Sequence, residues 1–232
     1  MAKEPEELSV IVSESDSVNA LLYAASKKDR VGMTVILGHG AGSNQLSPFM
    51  RLFASGLAAR GFDAMTFNFV YMDQGRRVPD AKAKLEGCYR AVIKAATQHK
   101  RLKGNRLAIG GKSMGGRIAS QVAAEGPAKS EIAALVFLGY PLHPPGKPEQ
   151  LRDAHLQDIR APMLFVQGSR DAFGSPDELR ATIKRLHLPA MLFVIEGGDH
   201  SLKVPKSLGV PQQQIYESTM DEIACWLGSI KN

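Results

Sequence analysis

The segment Gly111-Lys112-Ser113-Met114-Gly115 contains two patterns that would perform different chemistry. Its Gly-Lys-Ser triplet is the end of a phosphate-binding loop, in which backbone N–H groups and the lysine hold nucleotide phosphates. The same five residues also fit G-x-S-x-G, a pattern that places a nucleophilic serine on a sharp turn between a strand and a helix. The flanking residues decide between the two interpretations.

The phosphate-binding interpretation fails on spacing. It requires a glycine five positions before the glycine of Gly-Lys-Ser, and Arg106 stands there. Residues 107–109 are Leu-Ala-Ile, which favours a strand rather than a glycine-rich loop. A second candidate, Gly38-His39-Gly40-Ala41-Gly42, does not complete G-x-G-x-x-G because Ser43 replaces the third glycine. We therefore expect no nucleotide site at either segment.

The nucleophile interpretation agrees with its surroundings. Residues 107–109 are strand-like and residues 114–125 are helix-like, so Ser113 would lie at the tip between them. Small residues are needed at Gly111 and Gly115, because the chain passes close to itself there. In a chain with 22 glycines, the pattern alone is equally compatible with an ordinary strand-to-helix turn.

A serine hydroxyl needs a general base, and the base needs an orienting acid. Asp171 follows a predicted strand at residues 162–166, and His200 follows another at residues 190–195. The chain order of serine, acid and histidine is the one expected when this kind of turn occurs in a sheet of this class. Asp199 is the alternative acid, although its neighbour in sequence is the histidine itself. Asp171 could also be a simple turn former, and His200 could be a surface histidine.

A tetrahedral intermediate carries negative charge on an oxygen, which backbone N–H groups must stabilise. One donor is expected from Met114, directly after the serine. The other is expected from the loop after the strand at residues 34–37, where Ala41 is preferred and Gly40 is the alternative. We expect His39 to hold this loop by local hydrogen bonds. Lys112 is expected to point away from the serine and to pair with a surface acid.

Candidate substrate-binding residues follow two further strands. Tyr71 and Arg76 lie in the segment after the strand at residues 62–67, and Tyr140 follows the strand at residues 132–138. With Gly40 they form the predicted substrate-binding set. Arginine can bind a carboxylate or a phosphate through two hydrogen bonds. Arg76 could equally pair with Asp73 or Asp80, and Tyr140 could equally be structural.

The elements that would position these residues alternate along the chain. Apolar runs predict strands, and apolar residues spaced three or four apart predict helices. The helix at residues 80–98 has the clearest stripe, formed by Leu85, Cys88, Tyr89, Val92, Ile93 and Ala96. Further predicted helices cover residues 48–60, 114–125, 176–186 and 212–230, and two leading strands cover 10–12 and 21–25.

This alternation predicts an α/β fold: a mostly parallel central sheet with helices on both faces. Active sites of such sheets lie beyond the carboxyl ends of the strands, where all the candidate residues occur. With 232 residues, the chain is expected to form a single domain over residues 1–232. No long insertion follows the strand at residues 132–138, so we expect no cap domain.

Composition excludes several classes. Hydrophobic residues make up 44% and charged residues 22%, as in ordinary globular proteins. The net charge of +6 comes from short basic clusters mixed with acids, such as Lys27-Lys28-Asp29-Arg30, which indicates solvated faces rather than nucleic-acid binding. No secretory leader or membrane span is predicted. Cys88 and Cys225 lie in no metal-binding or redox spacing, which indicates two buried thiols in a cytoplasmic protein.

The chain resembles the α/β hydrolases that lack a cap, in particular the dienelactone-hydrolase-like enzymes. It is most similar to a small related group, the testis-expressed-type α/β hydrolases. The resemblance spans nearly the whole chain. Five segments carry it: Leu37 to Asn44, Phe67 to Asp80, Gly110 to Arg117, Gln167 to Gly174 and Gly197 to Ser201.

The resemblance implies the hydrolase fold and a triad of Ser113, His200 and Asp171. Dienelactone hydrolase has a cysteine where this chain has Ser113, so its substrate does not carry over. We expect a serine hydrolase acting on small-molecule esters or thioesters, without metal or cofactor. The sequence does not decide the oligomeric state, and a homodimer is one possibility. The alternative from another class is a non-catalytic binding protein that keeps the fold.

Overall fold

Eight strands form one sheet in this computed structural model, which describes residues 4–125 and 132–230 of the chain. The strands are β1 (Glu6–Ile11), β2 (Ser17–Tyr23), β3 (Met33–Gly38), β4 (Asp63–Phe67), β5 (Arg106–Lys112), β6 (Ile132–Leu138), β7 (Met163–Gly168) and β8 (Ala190–Ile195). Their order is β1-β2-β4-β3-β5-β6-β7-β8. Strands β3 to β8 run parallel, and only the pairs β1–β2 and β2–β4 are antiparallel. The predicted mostly parallel sheet is confirmed.

Helices cover both faces of the sheet, as predicted. They are α1 (Pro48–Ala59), α2 (Val70–Asp73), α3 (Lys82–Gln98), α4 (Met114–Ala124), α5 (Pro176–Arg185) and α6 (Gln212–Ser229). Buried residues of α1 and α6 share one hydrophobic core, and those of α3, α4 and α5 share the core on the opposite face. The short helix α2 was not predicted, because four residues give no helical period.

Local sequence signals explain several helix boundaries. The Ser47 hydroxyl accepts the Met50 N–H at 3.4 Å and caps α1, with Pro48 as the first helical residue. At α5, Ser175 and Glu178 form a reciprocal capping box. The predicted apolar stripe of α3 is buried along its whole length. Buried Cys88 confirms one thiol prediction, but Cys225 is exposed, so the prediction for that thiol was wrong.

The strand order fixes where a site can form. After β3 the chain adds β4 on one side and β5 on the opposite side, so the topological switch point lies between β3 and β5. At that point Gly38, the last residue of β3, is in register with Gly111 of β5. Open parallel sheets bind their ligands in the crevice at such a point.

Two of the clustered basic residues are structural rather than solvated. The guanidinium of Arg30 contacts the Asp63 carboxylate at 2.6 Å, and that of Arg101 contacts it at 3.2 Å. The Asp63 side chain is fully buried at the start of β4. A buried carboxylate requires such partners because it has lost its hydration. One of these two positive charges is therefore balanced within the fold.

No cap covers the carboxyl edge of the sheet in the part of the chain that is described. The chain between β6 and β7 consists of loops and one 3₁₀ turn, Leu156–Asp158, rather than a separate helical unit. No helix in the described ranges is long and apolar enough to cross a membrane. The single domain over residues 1–232 stays a prediction, and residues 1–3, 126–131 and 231–232 lie outside the described residues.

Candidate active site

Ser113 occupies a strained turn between β5 and α4. Its backbone angles are φ 51° and ψ −115°, a region that residues with a side chain rarely adopt. The strain lifts the hydroxyl above the edge of the sheet, directly before the first helical residue, Met114. The positive end of the α4 dipole lies beside the serine and favours negative charge there.

Three glycines allow this turn to pack against β3. A Cβ added to Gly111 would lie 2.2 Å from the carbonyl oxygen of Gly38, and one added to Gly115 would lie 2.1 Å from the same oxygen. The end of β3 is therefore held between two backbone segments of the turn. Gly111 also has φ 144°, which a side chain would oppose.

The Tyr89 hydroxyl joins the same strands from the side of α3. It accepts the Gly110 N–H at 3.0 Å, and its oxygen lies 2.7 Å from the Gly110 carbonyl oxygen and 2.9 Å from that of Ile36. The sequence identified Tyr89 only as a core residue, because nothing local indicates where a buried hydroxyl points. Its contacts attach the strand before the serine to the core.

Ser113, His200 and Asp171 form one continuous hydrogen-bonded chain. The Ser113 Oγ lies 2.8 Å from Nε2 of His200, and Nδ1 of His200 lies 2.8 Å from Oδ2 of Asp171. Because a carboxylate can only accept, Nδ1 carries the proton and Nε2 is free to accept from the serine. The His200 ring stacks on Phe173, with ring centroids 4.1 Å apart.

The Asp171 carboxylate is fixed by further donors. The buried Gln167 donates to its Oδ2 at 2.8 Å, and the Phe173 N–H donates to its Oδ1 at 2.8 Å. The rival carboxylate, Asp199, instead accepts the N–H groups of Ser201 and Lys203 within its own turn. The structure thus brings His200 to Asp171 and not to Asp199.

Hydrogen bonds from buried side chains fix the backbone of the loop after β3. Nδ1 of His39 lies 2.8 Å from the Gly40 carbonyl, and the Phe69 N–H donates to Nε2 at 3.2 Å. The Tyr71 hydroxyl donates to the Ala41 carbonyl at 2.8 Å. In the part of the chain that is described, neither the Ala41 N–H nor the Met114 N–H has a hydrogen-bond acceptor. Ala41 lines the cavity described below, whereas Met114 is buried directly beside Ser113, so the oxyanion role of both N–H groups stays a prediction.

A cavity of about 680 Å³ opens beside Ser113 and His200. Gly40 and Ala41 form part of its wall, as the sequence predicted for the loop after β3. Its apolar wall comes from helices α1 and α6 and from the loop after β7, through Phe49, Leu52, Tyr216 and Phe173. The cavity can hold an acyl group next to the serine.

Comparison with known proteins identifies the fold family. A family model for an alpha/beta hydrolase domain matches residues 31–228. The chain belongs to the α/β-hydrolase family. Among solved structures, a serine hydrolase homologue from Coxiella burnetii is 17% identical and superimposes with a TM-score of 0.72, over 98% of each chain.

Two further structures share this α/β-hydrolase fold. Dienelactone hydrolase from Anabaena variabilis is 22% identical, with a TM-score of 0.67 over 94% of this chain and 99% of that one. An esterase from Pyrococcus furiosus is 16% identical, with a TM-score of 0.75 over 99% of this chain and 92% of that one. At these identities the likeness establishes the fold and not the substrate.

Three predicted substrate-binding residues lie away from the cavity of this α/β-hydrolase. Tyr71 is buried beneath the Ala41 carbonyl, which it holds in place. Arg76 binds Asp80 at 2.7 Å, so its guanidinium is used in an ion pair. Tyr140 is buried, and its N–H donates to Gln167, the residue that supports Asp171. The prediction of substrate contact is corrected for all three, because each side chain is used inside the fold.

The sequence analysis missed the apolar wall. Helix α1 starts shortly after the loop that contains Ala41, so its first two turns lie near the site, and this signal could have identified Phe49 and Leu52. Tyr216 had no comparable signal. It comes from the last helix, far from the motifs in sequence, and reaches the cavity only through the packing of α6 on α1.

Lys112 also differs from its prediction. Its ammonium donates to the main-chain carbonyl of His200 rather than to a surface acid. Loss of hydration lowers the pKa of Lys112 to about 8, although the nearby carboxylates of Asp171 and Asp199 oppose that shift. The side chain is half-buried on the wall of the cavity.

Acid is expected to destabilise the fold through His39. Burial lowers the pKa of His39 to about 4, from an ordinary 6.5, so the folded state keeps the imidazole neutral. Below pH 6.5 the unfolded state binds a proton that the folded state does not, and the free energy of unfolding falls as the pH falls. From pH 7 to 4.5 we expect a loss of about 2 kcal/mol from His39 alone.

Urea unfolding at both pH values measures this loss, with His39→Gln as the comparison. Glutamine supplies a donor and an acceptor but does not titrate, so the variant should lose about 2 kcal/mol less of its free energy of unfolding than the native protein does. Burial also lowers the pKa of His155 to about 4, and this contribution cancels between the two proteins. Equal losses in both proteins would contradict the assignment to His39.

Proposed function

We propose that this chain is a serine hydrolase that cleaves esters or thioesters of small acyl groups. The observation that carries the proposal is the unbroken hydrogen-bonded chain from Asp171 through His200 to Ser113. Families of this fold include proteins without activity, so fold alone would not support it. A strained serine that lines a cavity next to a correctly protonated imidazole is what nucleophilic attack requires.

In the first half-reaction Ser113 attacks the substrate carbonyl carbon while Nε2 of His200 takes the hydroxyl proton. The carbonyl oxygen becomes an oxyanion, and the N–H groups of Met114 and Ala41 stabilise it. The Asp171 carboxylate stabilises the imidazolium that forms. The imidazolium then gives its proton to the leaving alcohol or thiol, and the C–O or C–S bond breaks to leave an acyl-serine.

In the second half-reaction water takes the place of the leaving group. His200 removes a proton from the water, which attacks the acyl carbon, and the proton returns to the Ser113 oxygen as the acid departs. Every proton moves through one imidazole, and the reaction consumes only substrate and water. The mechanism needs no redox step.

The cavity supports a small apolar acyl group. Its wall carries aromatic and aliphatic side chains such as Phe49, Leu52 and Tyr216. Each methylene placed against such a wall contributes about 0.8 kcal/mol. We therefore expect kcat/KM to rise about fourfold per methylene from p-nitrophenyl acetate to p-nitrophenyl butyrate. Leu52→Ala should reduce the butyrate-to-acetate ratio by removing part of that wall.

The assignment is tested with a fluorophosphonate probe, which reacts with activated serines. Mass mapping of the treated protein should locate one adduct, on Ser113, and prior heat denaturation should abolish it. A panel of p-nitrophenyl esters and acyl thioesters from two to eight carbons then gives the preferred acyl length and leaving group. A folded protein without an adduct, and without turnover on either series, would instead favour the non-catalytic binding protein.

A further inference from the structure

The ammonium of Lys112 is hydrogen-bonded to the main chain of His200, whose imidazole is the proposed general base. Lys112 is the last residue of β5 and directly precedes Ser113, yet its side chain crosses to the loop after β8 and donates to the His200 carbonyl. No carboxylate of the described residues lies within ion-pair distance of it. One short segment thus contains the nucleophile and also holds the main chain of the histidine.

Gly139, just after β6, provides the space for this contact. A Cβ added to Gly139 would lie 2.8 Å from the His200 carbonyl oxygen, 3.0 Å from Nζ of Lys112 and 3.5 Å from Nδ1 of His200. A side chain at position 139 would therefore collide with the atoms of this contact, and glycine avoids that collision. Gly139 has φ 70°, which a glycine adopts without cost.

We propose that Lys112 is a positioning residue: its ammonium holds the main chain of His200 so that Nε2 stays within reach of the Ser113 hydroxyl. The inference rests on the proposed function, since it concerns the same triad. Lys112 acts through His200, because its ammonium bonds to the main-chain carbonyl of that residue while the Ser113 hydroxyl bonds to the His200 imidazole. Its removal should therefore lower kcat more than it changes KM.

The charge of Lys112 makes the contact sensitive to pH. An ammonium forms a hydrogen bond about twice as strong as a neutral amine does. With the pKa of Lys112 lowered to about 8, the contact weakens as the pH rises through 8 and the ammonium loses its proton. The charged or titratable groups around it are Asp171 after β7 and Asp199 and His200 after β8, with Lys203 on the same cavity wall.

The experiment measures kcat for p-nitrophenyl butyrate between pH 6 and 9.5, corrected for spontaneous hydrolysis. In the native protein, kcat should fall about fivefold above pH 8, with KM changing less than twofold. Lys112→Met should have the lower kcat at every pH and lack the alkaline step. Lys112→Arg, which keeps its charge throughout, should regain most of the activity and also lack the step.

Lys203→Met is the matched control, since it removes the second lysine of the cavity wall and should retain the alkaline step. If Lys112→Met does not fold by circular dichroism, Lys112→Gln replaces it, because a neutral amide donor should likewise give a flat profile. A native alkaline step that persists in Lys112→Met or Lys112→Gln would overturn the positioning role while leaving the hydrolase proposal intact. Absence of both turnover and the Ser113 adduct in the native protein would overturn both.

Discussion

Replacing Ser113 by alanine is expected to lower kcat by about 10⁴-fold or more while the protein stays folded. In the proposed mechanism this hydroxyl forms the acyl intermediate, and its Oγ lies 2.8 Å from Nε2 of His200. Residual turnover would come from binding and from the N–H groups that face the oxyanion. The variant should keep the native packing of the turn, including the strained backbone at residue 113.

Kinetics with p-nitrophenyl butyrate test this expectation, and a second variant tests the mechanism. In the proposed mechanism Ser113, His200 and Asp171 act as a unit, so Ser113→Ala combined with His200→Ala should be little worse than Ser113→Ala alone. Ser120 offers a matched control: its Oγ lies 2.7 Å from Nε2 of His155, yet it is buried on α4 away from the cavity. Ser120→Ala should keep kcat within about threefold. Near-native turnover in Ser113→Ala would contradict the assignment.

Replacing Gly115 by alanine is expected to destabilise the fold by about 3 kcal/mol or more. The new Cβ would lie 2.1 Å from the Gly38 carbonyl oxygen and 2.3 Å from its carbon, and both atoms belong to the backbone of β3. Backbone cannot move aside as a flexible side chain can, so β3 and the serine turn would have to separate. Activity should fall together with stability, since the same separation displaces Ser113.

Gly87 provides the comparison for this substitution. It lies within α3, and a Cβ added there meets no atom within 4 Å. Gly87→Ala should therefore stabilise the protein by about 0.5–1 kcal/mol, because alanine restricts the unfolded chain and favours the helix. Urea midpoints of the two variants give the contrast. A Gly115→Ala protein as stable as the native one would show that β3 and the turn are not packed as described.

The sequence predicted those parts of the fold whose signals are local. The buried stripe of α3, the strand before Ser113 and the helix after it each depend on residues within one or two turns of the chain. The positions of Asp171 and His200 followed from a rule about strand ends, not from their neighbours. That rule predicts which edge of the sheet a residue occupies, and the short distances between these side chains agree with it.

The direction of individual side chains could not be predicted in the same way. Tyr71, Arg76 and Tyr140 lie near the correct edge, but each is bonded to a partner inside the fold. Those partners become neighbours only after folding, so no spacing in the sequence indicates them. The hydrogen bond from Lys112 to His200 joins residues 88 positions apart, so sequence spacing could not indicate it either.

The chemistry and the shape of the acyl cavity come from different parts of the molecule. Reactive groups lie on loops after the central strands, whereas the apolar wall depends largely on α1 and α6 on one face of the sheet. Substitutions at Phe49, Leu52 or Tyr216 can therefore alter which molecules fit without moving the nucleophile. Under the proposed function, related proteins can therefore differ in substrate preference while they share one reaction. Directed evolution of this scaffold can begin with those three positions.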